Sequence, residues 1–292
     1  IRTRPGMYIG KIGDGTHPDD GVYVLIKEVL DNSIDEFIMG YGKKISISVN
    51  GSKINIRDYG RGIPLGKIVD CVSKINTGGK YDTDAFKKSV GLNGVGLKAV
   101  NALSEFFSVQ SFRSGESKIA EFSRGKIESE SSIKISNRKD GTEIIFCPDS
   151  NIFIDYKIVN NIIEERMWNY AYLNSGLCLS YNGLNYISTN GLHDLLSKKL
   201  IDRKINYSII HIIGDDIEIA FTHGNQLNEE YLSYVNGQYT SQGGTHLVAF
   251  KEAFVKVIRD FFKKNYSPSD IRMSLVAAIS IKIQNPIFES QT

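Results

Sequence analysis

Glu28, Asn32 and Asp35 follow one another at spacings of four and three in the 292-residue chain. On a helix these spacings align the three side chains in one stripe. A carboxylate so placed can polarise a water for attack on a phosphate. A neutral amide oxygen beside it suits a hard cation such as Mg²⁺, which keeps several waters and takes phosphate oxygens as well. The chemistry on offer is metal-assisted phosphate hydrolysis, with Glu28 as general base and Asn32 as metal ligand. Taken alone, such a stripe reads first as a solvated polar face.

Three further segments carry polar chemistry. Asp58-Tyr59-Gly60-Arg61-Gly62-Ile63-Pro64 closes a strand pattern. Its composition suits an ordinary turn. It also suits Asp58 accepting a hydrogen bond from an adenine amino group, with two glycines letting a ligand approach the backbone. Gly91-Leu92-Asn93-Gly94-Val95-Gly96 precedes a helix pattern. Exposed N–H groups and a helix N-terminus there favour an anion such as a triphosphate. The spacing is neither that of a dinucleotide fingerprint nor that of a Walker A loop, since no Gly-Lys-Ser/Thr follows. Gly78-Gly79-Lys80 brings a cation to the same loop, although Lys80 also reads as a plain surface lysine. Gly141-Thr142 opens a strand, and the Thr142 hydroxyl can support an adenine through Asp58 and a water. Gly-Thr before a strand is common for other reasons.

These residues need elements to hold them. Residues 21–39 read as a helix with Val22, Ile26, Leu30, Ile34 and Phe37 on one side. Ile45, Ile47 and Val49 alternate, Asn50-Gly51 turns, and Ile54 and Ile56 alternate again, which predicts a hairpin. A short helix is expected over 67–75, a glycine-rich loop over 76–96 and a helix over 97–107. Short strands follow within 108–147, among them Lys118–Phe122, Ile133–Ile135 and Glu143–Phe146. A helix is expected at 156–173 with Val159, Ile163, Met167 and Tyr170 inward and Trp168 in a packing role. Beyond residue 200 the pattern restarts. Strands are expected near 207–213 and 216–222, then a long helix with Leu247, Phe250, Phe254, Ile258 and Phe261. A second helix begins near Ser269, and a strand spans Val276–Ile283. A domain boundary is expected near 200.

Composition narrows the classes. Hydrophobic residues are 41% and charged residues 23% of the chain, as in a globular protein. The net charge of +2 is too small to signal nucleic-acid binding by composition. Cys71, Cys147 and Cys178 are dispersed and odd in number, which reads as free thiols in a reducing cytoplasm. There is no run of 18 apolar residues, so no membrane span is expected. The chain starts at Ile1 and stops after Thr292, and we expect it to be part of a longer protein.

In this order the four segments resemble the GHKL ATPases, which include type II topoisomerase B subunits, heat-shock chaperones, mismatch-repair ATPases and sensor histidine kinases. Longer stretches resemble the B subunits of bacterial type II DNA topoisomerases, gyrase and topoisomerase IV. They are Arg2–Gly10 (RTRPGMYIG), Glu28–Glu36 (EVLDNSIDE), Thr77–Tyr81, Val90–Ser104, Gly243–His246, Asp270–Arg272 and Asn285–Thr292. The likeness runs along nearly the whole chain.

The resemblance implies a mixed α/β (α+β) architecture. A GHKL (Bergerat) ATP-binding sandwich would span 1–200, and an α/β transducer domain similar to a ribosomal protein would span 201–292. The implied cofactors are ATP and Mg²⁺. Glu28 would be the general base, Asn32 the Mg²⁺ ligand, and Asp58 the adenine acceptor supported by Thr142. Gly91, Leu92, Asn93, Gly94, Val95 and Gly96 would form a lid over the phosphates, continued by Leu97, with Lys80 and Phe86 nearby. Asp35 would share the pocket. Arg61 with Glu36 would border its rim beside Gly62, Ile63 and Pro64, where aminocoumarin-type inhibitors bind in the family. Gln291 would reach the γ-phosphate from the second domain. The implied partners are DNA, a topoisomerase A subunit and a second copy of the chain, in the cytoplasm and without a membrane.

The chain departs from the family pattern in places. Tyr23-Val24 stands where a histidine often precedes the catalytic Glu, which leaves open what orients Glu28. Asn93 stands where His is common, and Tyr59 where Asn is usual. A lysine expected after Thr292 and an arm expected before Ile1 lie outside the sequence, so poor turnover and a monomer are expected of this piece. The alternatives are a chaperone or mismatch-repair ATPase, which should lack the RTRPGMYIG-like opening and the GGTH segment, a non-hydrolysing nucleotide-binding module, and a purely structural module, which an ATP-binding titration would eliminate. Sequence does not distinguish gyrase from topoisomerase IV.

Overall fold

The computed structural model describes residues 1–74, 94–284 and 286–288. Its contacts separate a first unit, Ile1–Ala171 with Gly176–Ile187, from a second, Tyr172–Ser175 with Ser188–Ile287. The division therefore falls near 187, ahead of the boundary expected at 200. The physical reason is a helix over Leu192–Lys199, which packs on three strands of the second unit.

The first unit contains α1 (Gly6–Ile9), α2 (Gly21–Ile38), β1 (Lys44–Asn50), β2 (Lys53–Asp58), α3 (Ile68–Ser73), α4 (Gly96–Ala102), β3 (Ser104–Arg113), β4 (Glu116–Ser123), β5 (Lys126–Glu130), β6 (Lys134–Ile135), β7 (Gly141–Pro148), α5 (Asn160–Leu173), β8 (Cys178–Tyr181) and β9 (Leu184–Tyr186). Its strands form one sheet in the order β5-β4-β3-β7-β2-β1-β8-β9, with β6 paired to β4. The β1–β8 pair is parallel and the others are antiparallel.

Register explains the core. Ala120 pairs with Val109, Val109 with Ile144, Ile144 with Ile56, Ile56 with Ile47, and Ile47 with Tyr181. These buried side chains make one apolar row across the sheet. Val22, Ile26, Leu30 and Ile34 of α2 are all at most 1% exposed and pack into the same cluster, with Ile163 and Met167 of α5. Because strand side chains alternate, the pattern Ile54-x-Ile56-x-Asp58 places Asp58 on this buried face, where a third apolar residue would otherwise sit.

Two expectations shift. The helix expected over 97–107 ends at Ala102, and Ser104 already begins β3. Phe107, which continues a helical apolar spacing, instead pairs with Phe122 and Phe146 in the sheet. In the β1–β2 hairpin Asn50 still pairs with Lys53, so Gly51 and Ser52 make the turn. Gly51 takes the positive φ of +58° that the first turn position requires.

The second unit contains α6 (Leu192–Lys199), β10 (Ile210–Ile213), β11 (Ile217–His223), β12 (Glu230–Val235), β13 (Gln238–Tyr239), α7 (Thr245–Phe262), α8 (Pro268–Arg272) and β14 (Leu275–Ile281). Its sheet runs β10-β11-β14-β12-β13, with β12 and β14 parallel. β14 is buried from Leu275 to Ser280, as expected of a central strand covered on both faces. Phe250 and Phe254 of α7 pack on Phe221, Tyr231, Ala277 and Ile279, while the outer end of the helix leaves Phe261 exposed. Among the described residues, no helix is long and apolar enough to cross a membrane.

Candidate functional site

The strand end of the site is built from β2 and β7. Asp58 is 6% exposed, and its Oδ1 accepts from the backbone amides of Gly60 (2.9 Å) and Thr142 (3.1 Å). Among the described residues, Oδ2 takes no hydrogen bond. Burial pushes the carboxyl up to about 6. The two amides and the neighbouring Arg57 pull it down, and Glu36 pushes it up. The link to Thr142 is through its N–H, where the sequence pointed to the hydroxyl. Gly141 holds the contact close. A Cβ there would lie 2.3 Å from the Asp58 carbonyl oxygen, and the residue has φ of +132°, so only glycine fits.

The helix end is built from α2 and α4. Asp31 and Asp35 are buried, and Glu28 and Asn32 are half-buried, so the polar stripe of α2 is not a solvated face. Asn32 donates its amide nitrogen to the Glu28 carbonyl, which leaves the side-chain oxygen for a ligand. Gly96 opens α4 directly against the catalytic candidate. A Cβ on Gly96 would sit 1.8 Å from Glu28 Oε2. The glycine that sequence reasoning assigns to a phosphate lid thus also makes room for a carboxylate. Gly94 has φ of +59°, and its carbonyl accepts from Lys98 Nζ at 2.6 Å. Val95 precedes α4, and Leu97 packs against the core.

Between the two ends runs α2. Glu28 and Glu36 are eight residues apart, about 12 Å along a helix. Glu36 takes the Arg61 backbone amide at 3.0 Å and its guanidinium at 3.1 and 2.9 Å. Arg61 also lies over the Tyr41 ring at 4.4 Å. The hydrogen bond from Arg61 to Glu36 raises the Arg61 pKa, and burial opposes it. Ile63 packs on the core, its carbonyl accepting from Ser111 Oγ, and Pro64 is exposed. The Gly62 carbonyl accepts from Arg113.

Tyr23 does not approach Glu28. Its hydroxyl donates to the Gly15 carbonyl at 2.7 Å and accepts from the Val159 amide at 2.8 Å. The charges beside Glu28 come from elsewhere. Burial works against the Lys27 ammonium, but Asp31 and Glu28 outweigh it and raise its pKa. Lys27 pairs with Asp31 at 2.8 Å, and Tyr170 of α5 donates to the other Asp31 oxygen at 2.8 Å. Arg2, in the opening motif, clips α4 from behind by donating to the Ala102 carbonyl and the buried Asp149 carboxylate. Sequence reading misses Lys98, Arg113, Asp31 and the Tyr170 hydroxyl. Tyr170 counts there only as an apolar stripe residue, and the others carry no local signal beyond their polarity. Lys80, Phe86, Gly91, Leu92, Asn93 and Gln291 lie outside the described residues.

A family profile described as "Histidine kinase-, DNA gyrase B-, and HSP90-like ATPase" matches residues 18–152, and one described as "DNA gyrase B" matches residues 184–292. The chain is 54% identical along its whole length to the B subunit of DNA topoisomerase 4 from Borreliella burgdorferi, covering 49% of that protein. It is 36% identical to the B subunit of DNA gyrase from Chlamydia pneumoniae, again along the whole chain and 41% of that protein. The crystallised 43K ATPase domain of Thermus thermophilus gyrase B, in complex with an aminocoumarin, matches with a TM-score of 0.79 at 30% identity, over 99% of this chain and 82% of that one. The chain spans about half the length of the curated relatives it matches. With a mixed α/β fold, a carboxylate at the head of the α2 polar stripe and a buried aspartate at the end of β2, it belongs to the family of gyrase and topoisomerase IV B subunits and corresponds to that family's ATPase region.

Proposed function

We propose that the first unit binds ATP·Mg²⁺ between β2–β7 and α2–α4 and hydrolyses it. The observation that carries this reading is Asp58. It is a carboxylate on the core face of a sheet, and its Oδ1 is engaged by two backbone amides. Such a group leaves an acceptor for a donor brought from outside, and an adenine amino group supplies one. Arg61, Glu36, Gly62, Ile63 and Pro64 form the rim, where an aminocoumarin of the kind bound to the Thermus thermophilus domain would lie. Gly94, Val95, Gly96 and Leu97 begin the phosphate cradle at the start of α4. Lys80, Phe86, Gly91, Leu92, Asn93 and Gln291 complete it on the family pattern.

Glu28 takes the proton of the attacking water, and the Gly96 contact holds its carboxylate at the head of α4. Asp35, buried on the same helix, shares the pocket on the family pattern. The residues present fit a magnesium ion that arrives with the nucleotide. Asn32 offers a neutral oxygen beside Glu28, and among the described residues no group of three His, Cys, Asp or Glu forms a cage. When bound, the ion neutralises phosphate charge.

In the whole protein we infer that nucleotide binding closes a self-dimer on a DNA segment, alongside a topoisomerase A subunit in the cytoplasm, and changes DNA topology. A ligand shifts such a gate only by binding one state better, and the γ-phosphate supplies the difference. Glu28→Ala tests the assignment. Hydrolysis should fall by about 10²–10⁴-fold while ATP affinity stays within about threefold. Turnover at the parent rate would remove Glu28 from the role of base.

A further inference from the structure

We propose that Arg57 is a positioning residue for the adenine acceptor, fixing Asp58 from the opposite face of the sheet and keeping it ionised. The inference rests on Asp58 being that acceptor.

Arg57 and Asp58 are neighbours on β2, so their side chains leave opposite faces. Asp58 faces α2 and the core. Arg57 is nevertheless 4% exposed. Its guanidinium lies over the rings of Phe112 (4.5 Å) and Tyr59 (5.0 Å), and Arg138 lies over the same Phe112 ring at 4.3 Å. Nη2 donates to the carbonyl oxygens of Lys139 (2.6 Å) and Asp140 (3.4 Å). Those carbonyls immediately precede Gly141-Thr142, whose threonine amide donates to Asp58. Arg57 therefore anchors the segment that delivers a hydrogen bond to the Asp58 carboxylate. Gly141 lets it come near, since a Cβ there would lie 2.5 Å from Arg57 Nη1 and 2.3 Å from the Asp58 carbonyl oxygen.

A second observation argues against simple packing. Arg57 Nε and Nη1 are buried and have no hydrogen-bond partner among the described residues. A buried guanidinium with two idle donors is costly. A methionine or leucine would cover Phe112 and Tyr59 at less cost. What a cation adds is charge. Among the described residues, Asp58, Arg138, Glu143 and Tyr59 are the charged or titratable groups that act on Arg57, and Arg57 and Glu36 those that act on Asp58. Glu36 is largely spoken for by Arg61. Arg57 is then the cation that favours a charged acceptor at a position where burial disfavours one.

The test is the ratio of ATP·Mg²⁺ dissociation constants, Arg57→Met over parent, measured by calorimetry from pH 6 to 8. The titration of the nucleotide itself is common to both proteins and cancels. Loss of the charge should raise the Asp58 midpoint by about one pH unit. On that shift the ratio should be about fivefold larger at pH 6, and about twofold larger at pH 7, than at pH 8, above whatever constant loss the missing anchor adds. Arg57→Lys should keep the ratio near one throughout. A ratio that does not change with pH, or a Lys variant as impaired as Met, overturns the proposal. If Arg57→Met does not fold, Arg57→Gln takes its place under the same criteria, and failure of both to fold assigns Arg57 to the fold alone. Asp58→Asn separates the two readings. If it binds ATP like the parent, the adenine assignment fails. If it loses binding while the Arg57 ratio stays flat, only the Arg57 inference fails.

Discussion

At one end of the site, Asp58 is fixed by sheet register. It continues the alternation of Ile54 and Ile56 and meets the amides of Gly60 and Thr142. At the other end, Glu28 is fixed by helix packing, with the first residue of α4 pressed against its carboxylate. The first arrangement couples the ligand contact to the core, because the same strand positions carry both. The second couples it to the seating of one short helix, which Arg2 clips at its far end. On the reading proposed above, changes at the strand end should therefore alter affinity and stability together. Changes at Glu28, or at its contact with Gly96, should lower turnover more than affinity or stability.

The largest break is expected at Gly96. Gly96→Ala forces the Glu28 carboxylate aside, and a displacement of about 1 Å in a catalytic group lowers turnover by about 100-fold. Single-turnover hydrolysis with a parallel binding titration checks this. A variant that loses affinity but not turnover would show that the Gly96 contact does not position Glu28.

The next effect concerns stability at the strand end. The folded Asp58 carboxyl titrates near 6, above its ordinary value of 3.8. Between those values the folded chain holds a proton that the unfolded chain has released. This group therefore costs stability above pH 6, and the cost is relieved as pH falls through 6 toward 4. A shift of this size corresponds to about 3 kcal/mol. Asp58→Asn should accordingly stabilise the ligand-free chain by about 1–3 kcal/mol at pH 7 and by progressively less toward pH 4. Denaturant melts across that range measure it, and a destabilised variant at pH 7 would show that the carboxylate supports the fold.

A smaller effect tests the assignment of Tyr23. Tyr23→Phe leaves the Gly15 carbonyl and the Val159 amide without their shared partner. Stability should fall by about 1–3 kcal/mol. The turnover of the folded fraction should not change, because the hydroxyl serves the loop rather than Glu28. A turnover defect larger than the folding defect would tie Tyr23 to catalysis.

Much of this is legible in the sequence where the signal is periodic. The α2 stripe, the β1–β2 hairpin and the Asp58 turn follow from spacing alone. The errors have the same origin. Leu103 and Phe107 prolong a helical spacing past Ala102, but sheet pairing claims the chain from Ser104. Pattern reading passes over β8, β9 and α6, which span only four, three and eight residues and carry too few turns or alternations for a clear period. The contacts that make the site act as a unit are long-range. Arg57 reaches Lys139 over 82 residues, Tyr170 reaches Asp31 over 139, and Gly96 meets Glu28. No local pattern encodes such contacts. A glycine that accommodates a distant carboxylate looks, in sequence, like any loop glycine.

Everything proposed for the strand end depends on Asp58 receiving the adenine. Calorimetric titration of ATP·Mg²⁺ into Asp58→Asn, beside the parent at pH 7, tests it most directly. Affinity should be weaker by about 10- to 100-fold, the size expected for losing a hydrogen bond to a charged acceptor. Equal affinity in the two proteins would contradict it.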